Sequence, residues 1–247
     1  MKDLSKIFFI TAFILAIVAF FVTNVPISPQ MAPISGIFII AFSVPSYLAL
    51  VRWLEWKKAL FLIVVLSVYA IIIETMAIIT GIPYSHFQYS DLIGLKLFGY
   101  TPFTVPFAYA PLFIGCFYLA SILNENKWKI IILSTLLVLM VDLVLDPAAV
   151  ALNFWKFESG GFYYGVPFTN FLGWIITGFI SSAITMVIVK DYLNIIQKFT
   201  GIISSLFLIL VFWSFVGLYL GLLVPAIIGF ILIGVIIIKT NGKIGLF

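Results

Sequence analysis

The chain has 247 residues, of which 64% are hydrophobic and only 9% charged, and its mean hydropathy of +1.27 lies far outside the soluble globular range. That composition describes a polytopic membrane protein. The net charge of +4 does not point to nucleic acid, because the 13 basic residues are scattered over short loops and no nucleic-acid-binding module is visible.

With about 20 apolar residues needed per crossing, the predicted membrane helices fall at 7–23, 34–51, 59–80, 103–123, 129–152, 168–189, 202–221 and 223–238. Lys2 and Lys6 precede the first span as in a signal peptide, but no small-x-small cleavage site follows, so the span is expected to remain a membrane helix. The final block, 202–238, would run ~55 Å as one helix against a hydrocarbon core of ~30 Å. Pro225, with Gly217, Gly221 and Gly229 nearby, favours a break into two. The expected fold is therefore an all-α bundle of about eight transmembrane helices forming a single integral membrane domain over 1–247.

Charge sets the expected orientation. With the N-terminus inside, 11 of the 13 basic residues are cytoplasmic and only Lys96 and Lys156 lie outside, which places both termini in the cytoplasm of a multi-pass cell-membrane protein. The long loops 81–102 and 153–167 then fall on the outer side, so a site near them opens outwards.

The third span carries Glu74 in VYAIIIETMAIITG, with no basic residue nearby and ~9 Å from the helix end at 1.5 Å per residue. Such a carboxyl is either a structural hydrogen-bonding group or a proton donor or acceptor; intramembrane acids mark function by default. His86, the single histidine, follows in GIPYSHFQYSD. Without a second histidine or a cysteine pair no zinc site is expected, and His86 is read as orienting a water or a loop. Cys116 is the only cysteine, so no disulfide forms within the chain.

The fifth span places Asp142 and Asp146 one helical turn apart, on one face. A bare carboxylate pair would cost roughly 2.5–3.5 kcal/mol per charge near the bilayer centre. The pair must therefore face protein or water, and two carboxyls so close share a proton, supplying an acid and a base together. Pro147 has no N–H to donate and leaves a carbonyl one turn earlier free. No Arg or Lys lies within a turn or two to hold a diphosphate, which weighs against a magnesium-dependent role.

An aromatic loop with Trp155, Phe157, Phe162, Tyr163 and Tyr164 follows, and the chain re-enters the membrane through Pro167, Asn170 and Trp174. Asn170 either caps the sixth helix or hydrogen-bonds an acid across a cavity. The aromatics suit an interfacial belt and equally a wall for an apolar ligand. The order of acid, aromatic loop and VPF occurs twice, with VPF at 105–107 and 166–168, a weak sign of an internal repeat. No lysine lies in the interior of a span, which excludes a retinal Schiff base, and no P-loop or Rossmann glycine pattern is present.

Glu74, GIPYSHFQYSD at 81–91, DLVLDP at 142–147, Trp155 and GFYYGVPFTNFLGW at 161–174 together resemble the membrane carotenoid biosynthesis family that includes carotenoid hydratases. The likeness covers roughly 70–190, and the site region is placed at about 70–175. The chain departs from the family pattern at Tyr84, Ser85 and Tyr109, which bears on the substrate more than on the reaction class. The resemblance implies a hydratase, a carbon–oxygen lyase, that adds water across the terminal trisubstituted alkene of a long acyclic polyene without cofactor or metal. It implies Asp146, Asp142 and Glu74 as catalytic, with His86, Tyr89, Trp155, Tyr163, Tyr164, Asn170 and Trp174 around the substrate. The implied partners are the lipophilic polyene and membrane lipids. A proton-coupled transporter relaying through the three acids, a pigment-binding scaffold, and a cyclase or isomerase working through the same cation are the alternatives.

Overall fold

The computed structural model describes residues 3–246, so Lys2 of the N-terminal basic pair lies outside the described residues. Eight α-helices make up most of this region: α1 Ser5–Asn24, α2 Ala32–Leu54, α3 Trp56–Thr80, α4 Val105–Leu123, α5 Lys127–Ala151, α6 Phe168–Val189, α7 Ser204–Tyr219 and α8 Leu223–Lys239. Each lies within a few residues of its predicted span. Seven are long and apolar enough to cross a membrane, α7 when taken with the helical turn that leads into it from Thr200. The 17 residues of α8 rise ~26 Å, close to the ~30 Å hydrocarbon core. The predicted break in the last apolar block is a turn at Gly221, whose φ of 72° is a left-handed conformation that glycine adopts freely. Pro225 sits in the first turn of α8, where a missing N–H leaves no helical bond unmade.

The two ends of the chain meet. Asp3 and Leu246 form an isolated antiparallel bridge, and the Leu4 N–H donates to the Gly245 carbonyl at 2.8 Å. This contact puts both described ends on one side of the bundle.

The centre of the bundle is α4, buried without interruption from Ala110 to Ser121 and packed against α2, α3, α5, α6 and α7. Lipid tails supply no hydrophobic drive between helices, so association rests on close packing and interhelical hydrogen bonds. Both are present between α5 and α6, where Gly178 lies against Val138 and Ser182 Oγ donates to Ser134 Oγ at 2.8 Å. The outer faces carry side chains such as Phe13, Ile37 and Val187, each about two-thirds exposed, as expected of surfaces that meet lipid.

The two long loops are joined rather than merely adjacent. Strand β1 (Phe87–Tyr89), in the loop after α3, pairs antiparallel with β4 (Trp155–Phe157), in the loop after α5, in the register Phe87 with Phe157, Gln88 with Lys156 and Tyr89 with Trp155. Strand residues alternate between faces. Phe87 and Phe157 are accordingly buried, while Gln88 and Lys156 are exposed. A smaller pair, β2 (Lys96–Leu97) with β3 (Thr101–Pro102), stiffens the rest of the first loop.

Candidate active site

Beneath the β1–β4 pair lies a cavity of about 380 Å³, lined almost entirely by apolar and aromatic side chains but reached by Glu74, Asp142, Asp146 and Asn170. All four are buried, with 2 to 4% of their surface exposed. Spacing on one helical face puts Asp142 and Asp146 in the cavity from α5, Glu74 enters from α3, and Asn170 enters from the first turn of α6.

The acids form two separately held sets. In the first, Asn170 Nδ2 donates to Asp142 Oδ2 at 3.1 Å and to Asp146 Oδ2 at 2.7 Å, so both protons of one amide are used on two carboxyls. The two aspartates also stand close enough for one to donate to the other. Asp142 Oδ1 has no hydrogen-bond partner. Asn170 thus bonds the acids and leaves the start of α6 without a side-chain cap.

In the second set, the Tyr89 hydroxyl donates to Glu74 Oε2 at 2.8 Å, and the Tyr109 hydroxyl donates to Glu74 Oε1. Both carboxyl oxygens therefore receive an O–H from opposite directions, one from β1 and one from α4. Burial, with the adjacent Glu74 adding to it, raises the Tyr89 hydroxyl well above the ordinary tyrosine range, so it remains a neutral donor rather than a base. The three carboxyls share one cavity without forming a metal cluster: among the described residues, no group of three or more His, Cys, Asp or Glu is placed to hold a metal ion.

Aromatic rings complete the enclosure. Tyr109 stacks on Trp174 with ring centroids 5.2 Å apart, Tyr84 lies 5.4 Å from the same indole, and Tyr89 meets Trp155 edge-on at 5.6 Å. Tyr84 is nearly fully buried, and its hydroxyl pairs with Thr177 Oγ1 at 2.6 Å. Its position depends on Gly173: a Cβ there would stand 2.5 Å from the Tyr84 ring and 2.6 Å from the Pro83 carbonyl. Burial raises the Tyr84 hydroxyl well above its usual range as well.

Of the residues singled out in the sequence, Tyr89, Trp155, Asn170 and Trp174 line the cavity with the three acids, whereas His86, Tyr163 and Tyr164 do not. His86 is exposed, with its ring against Gly81 at the end of α3. Tyr163 is half-buried and donates to the Leu143 carbonyl at 3.2 Å. That carbonyl is the one Pro147 leaves without a helical donor, so the group expected to be free is instead capped by the loop. Tyr164 packs edge-on against Tyr163 and is partly exposed. Sequence reading assigned no role to Tyr84, Tyr109, Phe212 or Trp213, all of which line the cavity. The only signal at the first two was their departure from the pattern of the resembled family.

The profile of the family described as carotenoid biosynthesis protein matches residues 32–236. A bisanhydrobacterioruberin hydratase from Haloarcula japonica is 40% identical over 126 residues, covering 49% of this chain and 43% of that protein. The match therefore spans less than half the length of that relative. No solved structure matches the chain.

Proposed function

The chain belongs to the carotenoid biosynthesis protein family, and from that premise we propose that it is a hydratase adding water across the terminal carbon–carbon double bond of a long acyclic polyene. One observation carries the reading: buried carboxyls in two independently held hydrogen-bond sets line a single apolar, aromatic cavity. Hydrating an unactivated alkene needs this combination. A carboxylic acid must deliver a proton, the cation must be held, and water must be admitted only to the right carbon.

In the proposed reaction, the Asp142–Asp146 pair holds one proton, and Asp146, the nearer to the loop end of α5, delivers it to the less substituted alkene carbon. The π electrons form the new C–H bond and leave a tertiary cation. The cation lies among the faces of Tyr109, Trp174 and Trp155 and beside the carboxylate of Glu74, which stabilise positive charge. Glu74, fixed by Tyr89 and Tyr109, positions the water whose oxygen forms the new C–O bond. The proton that this water sheds returns to the aspartate pair, which restores the starting state. No external oxidant, reductant or nucleotide enters the balance. Asn170 sets the geometry of the pair by binding one oxygen of each carboxyl.

A proton-coupled transporter would need a polar path from these acids to the other end of the bundle. Against that stands the local pairing of the polar residues there: Ser182 with Ser134, and Thr135, Ser181 and Thr185 with carbonyls of their own helices. The hydratase reading is tested by incubating the purified protein in lipid nanodiscs with lycopene in heavy-oxygen water. A tertiary alcohol carrying the heavy oxygen is expected, and recovery of unaltered or merely rearranged hydrocarbon would refute hydration.

A further inference from the structure

The acid cavity does not end at the acids. It continues away from them between α1 and α2, consecutive helices held mainly by others: α1 packs against α7, and α2 against α3, α4 and α7. The gap is walled by Val18 and Val22 of α1 and by Ile34 and Phe38 of α2, and it is backed by Phe212 of α7. Ile34 and Phe38 line the cavity yet are 52% and 44% exposed. A side chain that faces both an internal cavity and the lipid surface sits at an opening.

The depth of this opening is fixed by helix arithmetic. Phe38 lies six residues from the start of α2, Val18 six from the end of α1 and Glu74 six from the end of α3, so each stands ~9 Å below the loop end at 1.5 Å per residue. The opening is therefore level with Glu74 and well inside the apolar length of these helices. The aqueous side is covered: β1 and β4 present Phe87 and Phe157 to the cavity and Gln88 and Lys156 to solvent.

We infer that the slot between α1 and α2 is a lateral portal and tail-binding subsite, through which a polyene enters from the bilayer end-first and in which its apolar chain lies while its terminal alkene reaches the acids. The inference rests on the hydratase reading for the identity of the occupant. A cavity of about 380 Å³ is near the small end of ligand pockets, roughly 300–1,000 Å³, so a long rigid polyene fits only if most of it projects outwards. An apolar slot open to lipid accepts that projection without desolvating anything polar, and continuity with the acid cavity leads the chain end to the site. Ser35 is the only polar side chain among the slot residues of α1 and α2.

The test plugs the slot after folding. Ile34→Cys and Phe38→Cys are made separately, with Ile72→Cys on the lipid-facing side of α3 as control; Ile72 is 58% exposed and lines no part of the cavity. The native Cys116 is fully buried and stays silent. Each folded variant is treated with a bulky lipophilic maleimide or left untreated, then given lycopene in phospholipid vesicles. Retained pigment absorbance and hydrated product are read separately. Labelling at position 34 or 38 should cause loss of lycopene uptake relative to the same variant left unlabelled, whereas labelling Ile72→Cys should leave its uptake unchanged. Undiminished uptake after plugging would overturn the portal, and continued hydration in the same sample would leave the hydratase reading standing. Uptake blocked by the plug, with no hydrated product from unlabelled protein, would support the portal and remove the hydratase reading. Recovery of phospholipid alone, with no lycopene in any sample, would overturn the proposed occupant.

Discussion

The hydroxyl of Tyr163 occupies the carbonyl of Leu143 that Pro147 strips of its helical donor. A proline one residue after Asp146 would otherwise leave a bare acceptor in the helix that carries both aspartates. The aromatic loop repairs the helix from outside, which ties the loop's position to that of the acids.

Removing that hydroxyl has a context-dependent cost. Tyr163→Phe should lower stability by about 1 kcal/mol, the order of a partly buried hydrogen bond whose acceptor is left unpaired. In a Pro147→Ala background, residue 147 regains its N–H and pairs with Leu143 itself, so the same Tyr163→Phe change should cost almost nothing. Thermal unfolding of the four proteins in one detergent measures the coupling; additive losses would contradict the repair.

Glu74 is held from two sides, and the proposed mechanism uses it as an oriented carboxylate. Tyr89→Phe and Tyr109→Phe should each reduce hydration, because either loss frees one carboxyl oxygen, and the double variant should fall further than either single one. Tyr109→Trp keeps the ring on Trp174 but replaces the O–H with an N–H at a different reach, so it should alter which polyene is accepted. Initial rates with two polyenes of different end groups distinguish these effects. A double variant as active as the parent would show that the clamp on Glu74 does not matter.

Much of this organisation is legible in the sequence because the bilayer is a demanding solvent. A segment that must cross it shows as an apolar run, so all eight helices were located, and a carboxyl within such a run stands out because it is costly to keep there. Asn170 was visible as a residue with two possible roles, and only coordinates choose between them. Other features leave no such trace. Tyr84 and Tyr109 are two of 11 tyrosines in a chain that is 17% aromatic, and nothing in spacing marks them as facing Glu74 or Trp174. The pairing of β1 with β4 joins segments almost 70 residues apart through three residues each, too short for a period-two pattern to register. His86 is placed around the substrate by the resemblance alone, and Tyr163 and Tyr164 also by the aromatic density of their loop; neither says which ring turns inwards.

Orientation in the membrane follows from the lysines rather than from the fold. If the lysines place both termini in the cytoplasm, a cysteine placed at Gly160, in the loop after β4, should react with a membrane-impermeant maleimide added to intact cells, and one at Asn241, after α8, should not. Buried Cys116 gives no background. Labelling at 241 but not at 160 would invert the orientation and put the loop end of the acid cavity inside.

In the proposed mechanism the aspartate pair supplies the proton that starts hydration. General acid catalysis typically contributes ~10²- to 10⁴-fold, and Asn preserves the volume of Asp while being unable to deliver that proton. The most direct measurement is the mass of the pigments extracted from a lycopene-producing host that expresses the parent chain, Asp142→Asn or Asp146→Asn at matched membrane levels. The parent should yield pigment heavier by one water per modified end, and Asp146→Asn should yield essentially none. Hydrated pigment at parental levels from both Asn variants would contradict the account and move the acid to Glu74.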